Sequence, residues 1–281
     1  MFSLAVSPWA GRFFEEIAVT STGSNQDSAL CCSPMGDLAL EASFHFKKVD
    51  VLCGDVQTSS LLELKSCALK ELKPAGRATL FGLNPKGRRV FLFHQIKGLM
   101  SSKAQSWWLE RELLIRQGLA DSGQHDRSMM LWRRFCPTSS STGISRRENA
   151  ALAALFRWKK YVSFEERDVR QRFDSMSLES KKSWIQASQN PLWISAERAV
   201  NVPELVSSPK EKYDHVLLYR PSADLLSLAR DRIKPGGHFW CWSWQCPTED
   251  WSKVEDECRS PFTPWLWHRE LSLVSDSSLS L

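Results

Sequence analysis

No apolar run in the chain approaches the roughly 18 residues that a membrane-spanning helix requires. The first residues, MFSLAVSPWAGRFFEEIAV, lack a basic start followed by an apolar stretch, so no secretory signal is expected. The eight cysteines (Cys31, Cys32, Cys53, Cys67, Cys136, Cys241, Cys246 and Cys258) include no CxxC pair. That pattern argues against a zinc site and a disulfide framework, and fits free thiols in a reducing cytoplasm. No His/Cys/Asp cluster has metal-ligand spacing, so no metal is expected. Two nucleotide signatures are also missing: there is no GxxxxGK[ST], and the first strand–helix turn has no GxGxxG. Both place backbone against phosphates, so their absence argues against an ATPase-type loop and against nicotinamide or flavin dinucleotides.

What remains is an ordinary globular composition over 281 residues, 42% apolar and 25% charged, enough for one large domain or a domain carrying an insertion. The 13 Trp are many; they either line apolar pockets and interfaces or fill the core. Net charge is unevenly spread. From Gly76 to Gln189 there are 21 Lys+Arg against 10 Asp+Glu, whereas the rest of the chain has 16 against 22. A basic middle on an acidic frame suits a surface that meets phosphates or anionic lipid, and equally a solvated helical face.

The organising stretch runs from Ser28 to Lys65 and reads strand, turn, helix, strand, turn, helix. Ala29–Cys32 is a short buried strand. Asp37 opens the apolar-periodic segment Leu38–Phe46, where a carboxylate complements the helix N-terminal dipole. Val49–Cys53 is a second strand, Gly54 permits a tight turn, and Thr58–Leu72 has strong helical periodicity ended by Pro74 and Gly76. In an open parallel sheet both turns face the crevice beyond the carboxyl ends of the strands. Upstream, Trp9–Val19 can form a short helix.

From Leu80 to Gln189 the patterns are mainly helical: Arg89–Met100, Lys103–Gln117, Ser128–Phe135, Glu148–Trp158 and Ser163–Phe173. The sheet is expected to resume with Leu192–Ala196, then Tyr213–Tyr219 (YDHVLLY), a helix over Ser222–Ile233, a Pro235-Gly236-Gly237 turn and an alternating strand His238–Trp244. Pro264–Ser275 can add one or two final strands, antiparallel to the rest. The expected architecture is therefore α/β: a Rossmann-like sheet domain over 1–75 and 190–281, with a helical insertion over 76–189 serving as lid or acceptor-binding subdomain.

YDHVLLY, a helix and then RIKPGGHFWCWS resembles the fourth-to-fifth strand region of class I S-adenosylmethionine-dependent transferases. Three segments carry a narrower resemblance. VQTSSLLELKSCALKELKPAGRATLFG, LMSSKAQSWWLERELLIRQGLADSGQHDR and YDHVLLY are similar to parts of the S-adenosylmethionine:diacylglycerol 3-amino-3-carboxypropyl transferases of betaine-lipid synthesis. The likeness is patchy and runs from about Ser28 to Trp244. There are departures. The family's acidic residue and Asn-Pro after the second strand are replaced by Cys53-Gly54-Asp55-Val56-Gln57. The Asp-Trp pair after the fourth strand has no counterpart in Tyr219-Arg220-Pro221-Ser222-Ala223-Asp224. An N-terminal helical cap is missing.

The resemblance implies S-adenosylmethionine as cofactor, which has no phosphate and tolerates a less Gly-rich turn. The residues expected around its methionine portion are Cys32, Ser33, Pro34, Gly36 and Asp37. Asp55 and Gln57 fall at the ribose, and Glu197 or Arg198 beside adenine. The simpler roles are a helix N-terminal charge for Asp37 and an exposed turn residue for Asp55. Tyr219 and His125 are the candidate catalytic bases, and Arg127 or Arg220 can pair with the cofactor carboxylate. Asp214 and His215 are expected to serve packing or local hydrogen bonds. The acceptor is a small molecule or a lipid, with peripheral membrane contact through the basic insertion and a cytoplasmic location. Nucleic acid is not the expected partner, although Trp107-Trp108, Trp132-Arg133-Arg134-Phe135 and Arg157-Trp158-Lys159-Lys160 interleave aromatics with charge. Methyl transfer, or a non-catalytic relative that binds the cofactor or a membrane, are the competing readings.

Overall fold

A computed structural model describes residues 27–32, 36–53, 55–84, 87–119, 192–196, 202–206, 211–219, 222–243, 251–253 and 265–270. The expected helices Trp9–Val19, Ser128–Phe135, Glu148–Trp158 and Ser163–Phe173 lie outside these residues. The described chain divides into two compact units, with the division inside a helix at Ser60.

The first unit is a mixed α/β sheet. Its strands are β1 (Ser28–Cys32), β2 (Lys48–Leu52), β3 (Glu204–Val206), β4 (Tyr213–Tyr219), β5 (Ile233–Ser243), β6 (Ser252–Lys253) and β7 (Trp265–Glu270). They lie in the order β3-β2-β1-β4-β5-β7-β6. Every pairing from β3 to β5 is parallel, and β7 alone is reversed, antiparallel to both β5 and β6. The runs ALCC of β1 and VLL of β4 are continuously apolar because the strands are covered on both faces, while Asp50 and His215 are buried polar exceptions in β2 and β4. Alternate residues divide into two layers. Leu30, Cys32, Val216, Leu218, Phe239 and Cys241 form one core with Ala229 of α8 (Ala223–Arg230). His215 projects to the opposite face, where Phe46, just beyond α1 (Asp37–Ala42), packs on it with ring centroids 4.7 Å apart. Helices on both faces of a mostly parallel sheet agree with the expected Rossmann-like class.

The Pro-Gly-Gly segment is not a turn before the strand but a bulge within β5. The register moves from Tyr213↔Ile233 to His215↔His238, and Gly236 takes φ +75°. A Cβ on Gly237 would come within 2.8 Å of the Asp214 carbonyl oxygen, so the bulge admits only glycine there. Beside it, Asp214 ties three strands together. Its Oδ2 accepts from the backbone N–H and the hydroxyl of Ser28 at 2.9 and 2.8 Å, and Lys234 Nζ donates to both oxygens at 2.8 and 2.9 Å. Burial acts to raise this carboxyl, but the Lys234 ammonium and the two Ser28 donors outweigh it and hold the group at about 2. Its folded value lies below its unfolded one, so the stabilisation is complete above roughly pH 4 and fades as pH falls towards 2. Urea denaturation should show Asp214→Asn less stable than wild type at neutral pH, with the gap closing at the acid end. An equal gap at both ends would refute the linkage.

The second unit is helical. It holds the greater part of α2 (Val56–Glu71), then α3 (Pro74–Phe81), α4 (Arg89–Ile96), a 3₁₀ turn (Lys97–Leu99), α5 (Ser102–Leu109), α6 (Glu112–Gln117) and the short α7 (Leu192–Ser195). Four expectations are corrected here. Pro74 does not simply end a helix; it occupies the first position of α3, where its missing N–H costs nothing. Arg89–Met100 gives way to a 3₁₀ turn after Ile96. Lys103–Gln117 is two helices, broken at Glu110-Arg111. Leu192–Ala196 is not a sheet strand but a helix of this unit. Arg77, fully buried, explains the last: it donates to the carbonyls of Leu69 (3.2 Å), Ile194 (3.1 Å) and Ala196, and Trp193 packs edge-on against Phe81. Elsewhere Trp108 Nε1 donates to the Ser60 carbonyl at 2.8 Å, and the Glu63 carboxylate accepts from Ser101, the N-cap of α5.

Candidate functional site

The chain order of the sheet fixes where a ligand can lie. From β1 the chain crosses to β2 on one side, whereas β4 flanks β1 on the other, so the topological switch point lies between β1 and β4. The carboxyl ends of three adjacent parallel strands meet there. Cys32 ends β1, Tyr219 ends β4, and Cys53 and Asp55 follow β2. Neighbouring strands are about 4.8 Å apart, so the β2 and β4 ends stand roughly 10 Å apart across β1, about the length of a nucleoside.

Of the expected cofactor residues, Gly36, Cys32, Asp55 and Gln57 belong to this end of the sheet. Gly36 is the N-cap of α1 in the left-handed conformation (φ +75°, ψ −18°), and its carbonyl accepts from Leu40 at 3.0 Å. Glycine adopts this conformation without a side-chain penalty. Asp37 is the first residue of α1. Ser33, Pro34, Glu197, Arg198, His125, Arg127 and Arg220 lie outside the described residues. Tyr219 is half-buried and is the register partner of Trp242.

Asp55 is exposed at the head of α2 and already engaged. Its Oδ1 accepts the Thr58 backbone N–H at 2.8 Å and its Oδ2 accepts the Thr58 hydroxyl at 2.6 Å, an N-cap arrangement. A carboxylate offers about four acceptor lobes, so each oxygen keeps room for a second donor such as a ribose hydroxyl. Burial, with a smaller contribution from Cys53, pushes Cys32 up to about 12. Burial, with a smaller contribution from Asp55, does the same to Cys53. Thiols raised in this way stay protonated near neutral pH and are poor nucleophiles.

Asp214 and His215 have the local roles expected of them. A row of imidazoles on β4, β5 and β7 has no signal in the sequence, because which histidines meet depends on the strand register. LLELK contributes to the helical unit: Lys65 is fully buried, with Nζ 5.7 Å from the centre of the Trp193 ring. Among the described residues no group of three or more His, Cys, Asp or Glu has metal-binding geometry, and no helix is long and apolar enough to cross a membrane. No family model, curated protein or solved structure matches the chain.

Proposed function

We propose that the chain is an S-adenosylmethionine-dependent transferase that moves the 3-amino-3-carboxypropyl group to a lipid hydroxyl or a small-molecule acceptor. The observation that carries this reading is the switch-point crevice, with the Gly36 turn after β1 and a carboxylate, Asp55, after β2. The strand order, with one reversed strand between β5 and the edge, is that of the class I transferase sheet implied by the sequence resemblance. This support is a fold-level analogy. Two described residues suit the cofactor: Asp55, a carboxylate with acceptor capacity after β2, and Gly36, which opens α1 after β1.

Bound there, the cofactor supplies a sulfonium-activated carbon. It would offer its side-chain methylene to the acceptor oxygen and take the carbon–sulfur electron pair away as 5′-methylthioadenosine. The chain's own task is to hold a near-attack pose and accept the acceptor's proton. Tyr219, at the end of β4, and His125 are the proposed residues for that proton. Incubation with cofactor and an acceptor panel tests the reading by its by-product. 5′-Methylthioadenosine supports it, S-adenosylhomocysteine establishes a methyltransferase instead, and calorimetric binding without turnover identifies a non-catalytic relative.

A lipid acceptor brings a membrane surface with it, and the helical unit has suitable side chains. Phe91, Leu99, Leu109 and Leu113 are exposed, and Arg88, Lys97 and Lys103 make no ion pair among the described residues. α4 reads RVFLFHQI, apolar beyond the face that buries Phe93 and Ile96. Exposed apolar side chains beside free cations suit an anionic lipid interface. Affinity for phosphatidylserine-containing vesicles, read by sedimentation, should fall by about a hundred-fold or more for Phe91→Ser/Leu113→Ser, since each fully buried apolar side chain contributes about 1.5–3 kcal/mol. Equal binding of the variant, or binding to RNA and not to vesicles, would refute the lipid surface.

A further inference from the structure

On the sheet face away from α8, three histidines on three adjacent strands form one row. His215 of β4 and His238 of β5 are register partners, and their rings stack with centroids 5.2 Å apart at 21°. His268 of β7 stacks on His238 at 5.3 Å and 24°, with His238 Nδ1 and His268 Nε2 3.1 Å apart. Trp240, the register partner of His268, packs on it at 4.2 Å and donates its indole N–H to His215 Nδ1 at 3.4 Å. His215 Nε2 lies 3.3 Å from Asp27 Oδ2.

These contacts set the protonation states. An indole N–H only donates, so His215 Nδ1 must be bare and the ring proton must sit on Nε2, facing the Asp27 carboxylate. A second proton on His215 would point N–H at N–H and break the Trp240 bond. Between His238 and His268 one nitrogen donates and the other accepts. That pair therefore tolerates one extra proton and is broken by two. Burial lowers the pKa of His215, Asp27 and Asp214 oppose this, and His238 adds to the lowering.

Charged groups among the described residues lie on several of the elements around the row. Asp27 precedes β1, and Asp214 of β4 is neutralised by Lys234 of β5. Glu270 of β7 is the register partner of His238, while Arg269 pairs in register with Phe239. From the α1 side the His215 ring meets Phe46, with His45 and Lys47 on either side of it in sequence. On β6, Ser252 pairs in register with His268, and Lys253 with Trp267. A polar hollow of about 210 Å³, lined by Asp27, Asp214, His215, Lys234, Gly236 and His238, gives solvent protons a route to the row.

We propose that this imidazole row is a proton-sensitive latch that holds β7, and with it the sheet edge, closed when neutral and releases it on acidification. It lies at the opposite end of the strands from the crevice and does not depend on the transferase reading. The sign follows from the geometry and from His215. A histidine whose folded pKa is depressed stabilises the fold above its unfolded pKa of about 6.5, and that stabilisation is lost as pH falls. β7 is the responsive element because its pairing to β5 carries the His238–His268 and Trp240–His268 contacts.

Hydrogen–deuterium exchange of the full chain at about pH 7.5 and 5.5, corrected for intrinsic exchange, tests the latch on the two sides of the histidine pKa. Residues 265–270 should lose protection several-fold at the lower pH, while β1 keeps its protection. In His238→Gln/His268→Gln that step should disappear. An unchanged β7, parallel loosening of β1 and β7, or a step that survives in the double variant would each overturn the proposal. If the double variant does not fold, the wild-type histidine ring resonances decide: coupled titration of the three supports the latch, and three independent ordinary titrations overturn it.

Discussion

Arg77→Met is expected to destabilise the helical unit by about 3 kcal/mol or more, because it removes the donors from three carbonyls at about 1–3 kcal/mol for each one left buried and unsatisfied. The side chain is fully buried, and burial lowers its pKa from the ordinary arginine value. Its three acceptors are carbonyls that secondary structure leaves short of donors. Leu69 lies in the last turn of α2, and Ile194 and Ala196 lie at the end of the four-residue α7. Terminal helical carbonyls have no intrahelical partner, and an unsatisfied buried one costs about 1–3 kcal/mol. Methionine fills much of the volume but supplies no donor. Arg77→Lys should recover only a minor part of the loss, because a single ammonium cannot reproduce the planar fork. Urea unfolding followed by tryptophan emission measures this. A midpoint for Arg77→Met within about 1 kcal/mol of wild type would show that water or a shifted backbone satisfies the carbonyls.

The sheet was legible where sequence and burial give the same signal. SALCC, and the apolar positions of KVDVL and YDHVLLY, mark buried strands, and the turn chemistry at Gly36 and after Leu52 marks the ends of the first two. Misreadings arose where a short run fits either element. LWISA is as apolar as a buried strand, and periodicity over five residues does not separate the two. Its state is decided by Arg77 and Phe81, which are distant in sequence. β3 escaped notice because Glu204–Val206 is three residues long and largely exposed at the sheet edge. At the site, Asp55 stood out as the acid nearest the end of β2. Its capping role also had a local signal, an Asp three residues before Thr58 at a helix start. The imidazole row had none. His215, His238 and His268 become neighbours only through the β4–β5–β7 register, which includes the Pro-Gly-Gly bulge.

Asp55→Asn separates the two duties that the carboxylate can have. Asparagine caps helices about as well as aspartate, so the Thr58 N–H keeps an acceptor and stability should change by no more than about 0.5 kcal/mol. The substitution does remove the negative charge and one of the two oxygens. If Asp55 receives the ribose hydroxyls, S-adenosylmethionine affinity should fall roughly ten- to a hundred-fold, since hydrogen bonds to a charged group contribute about 1.5–3 kcal/mol. Thr58→Val is the converse test. It deletes the hydroxyl that occupies Oδ2 at 2.6 Å while keeping the backbone bond to Oδ1 at 2.8 Å. Affinity should then hold or rise, because a competing donor is gone. Calorimetric titration of the three proteins reads both effects. Wild-type affinity in Asp55→Asn would reduce Asp55 to a helix cap and remove the carboxylate from the cofactor site. A loss in Asp55→Asn with retention in Thr58→Val would assign the acid after β2 to the ligand, although it lies in a turn unlike that of the transferases the sequence resembles.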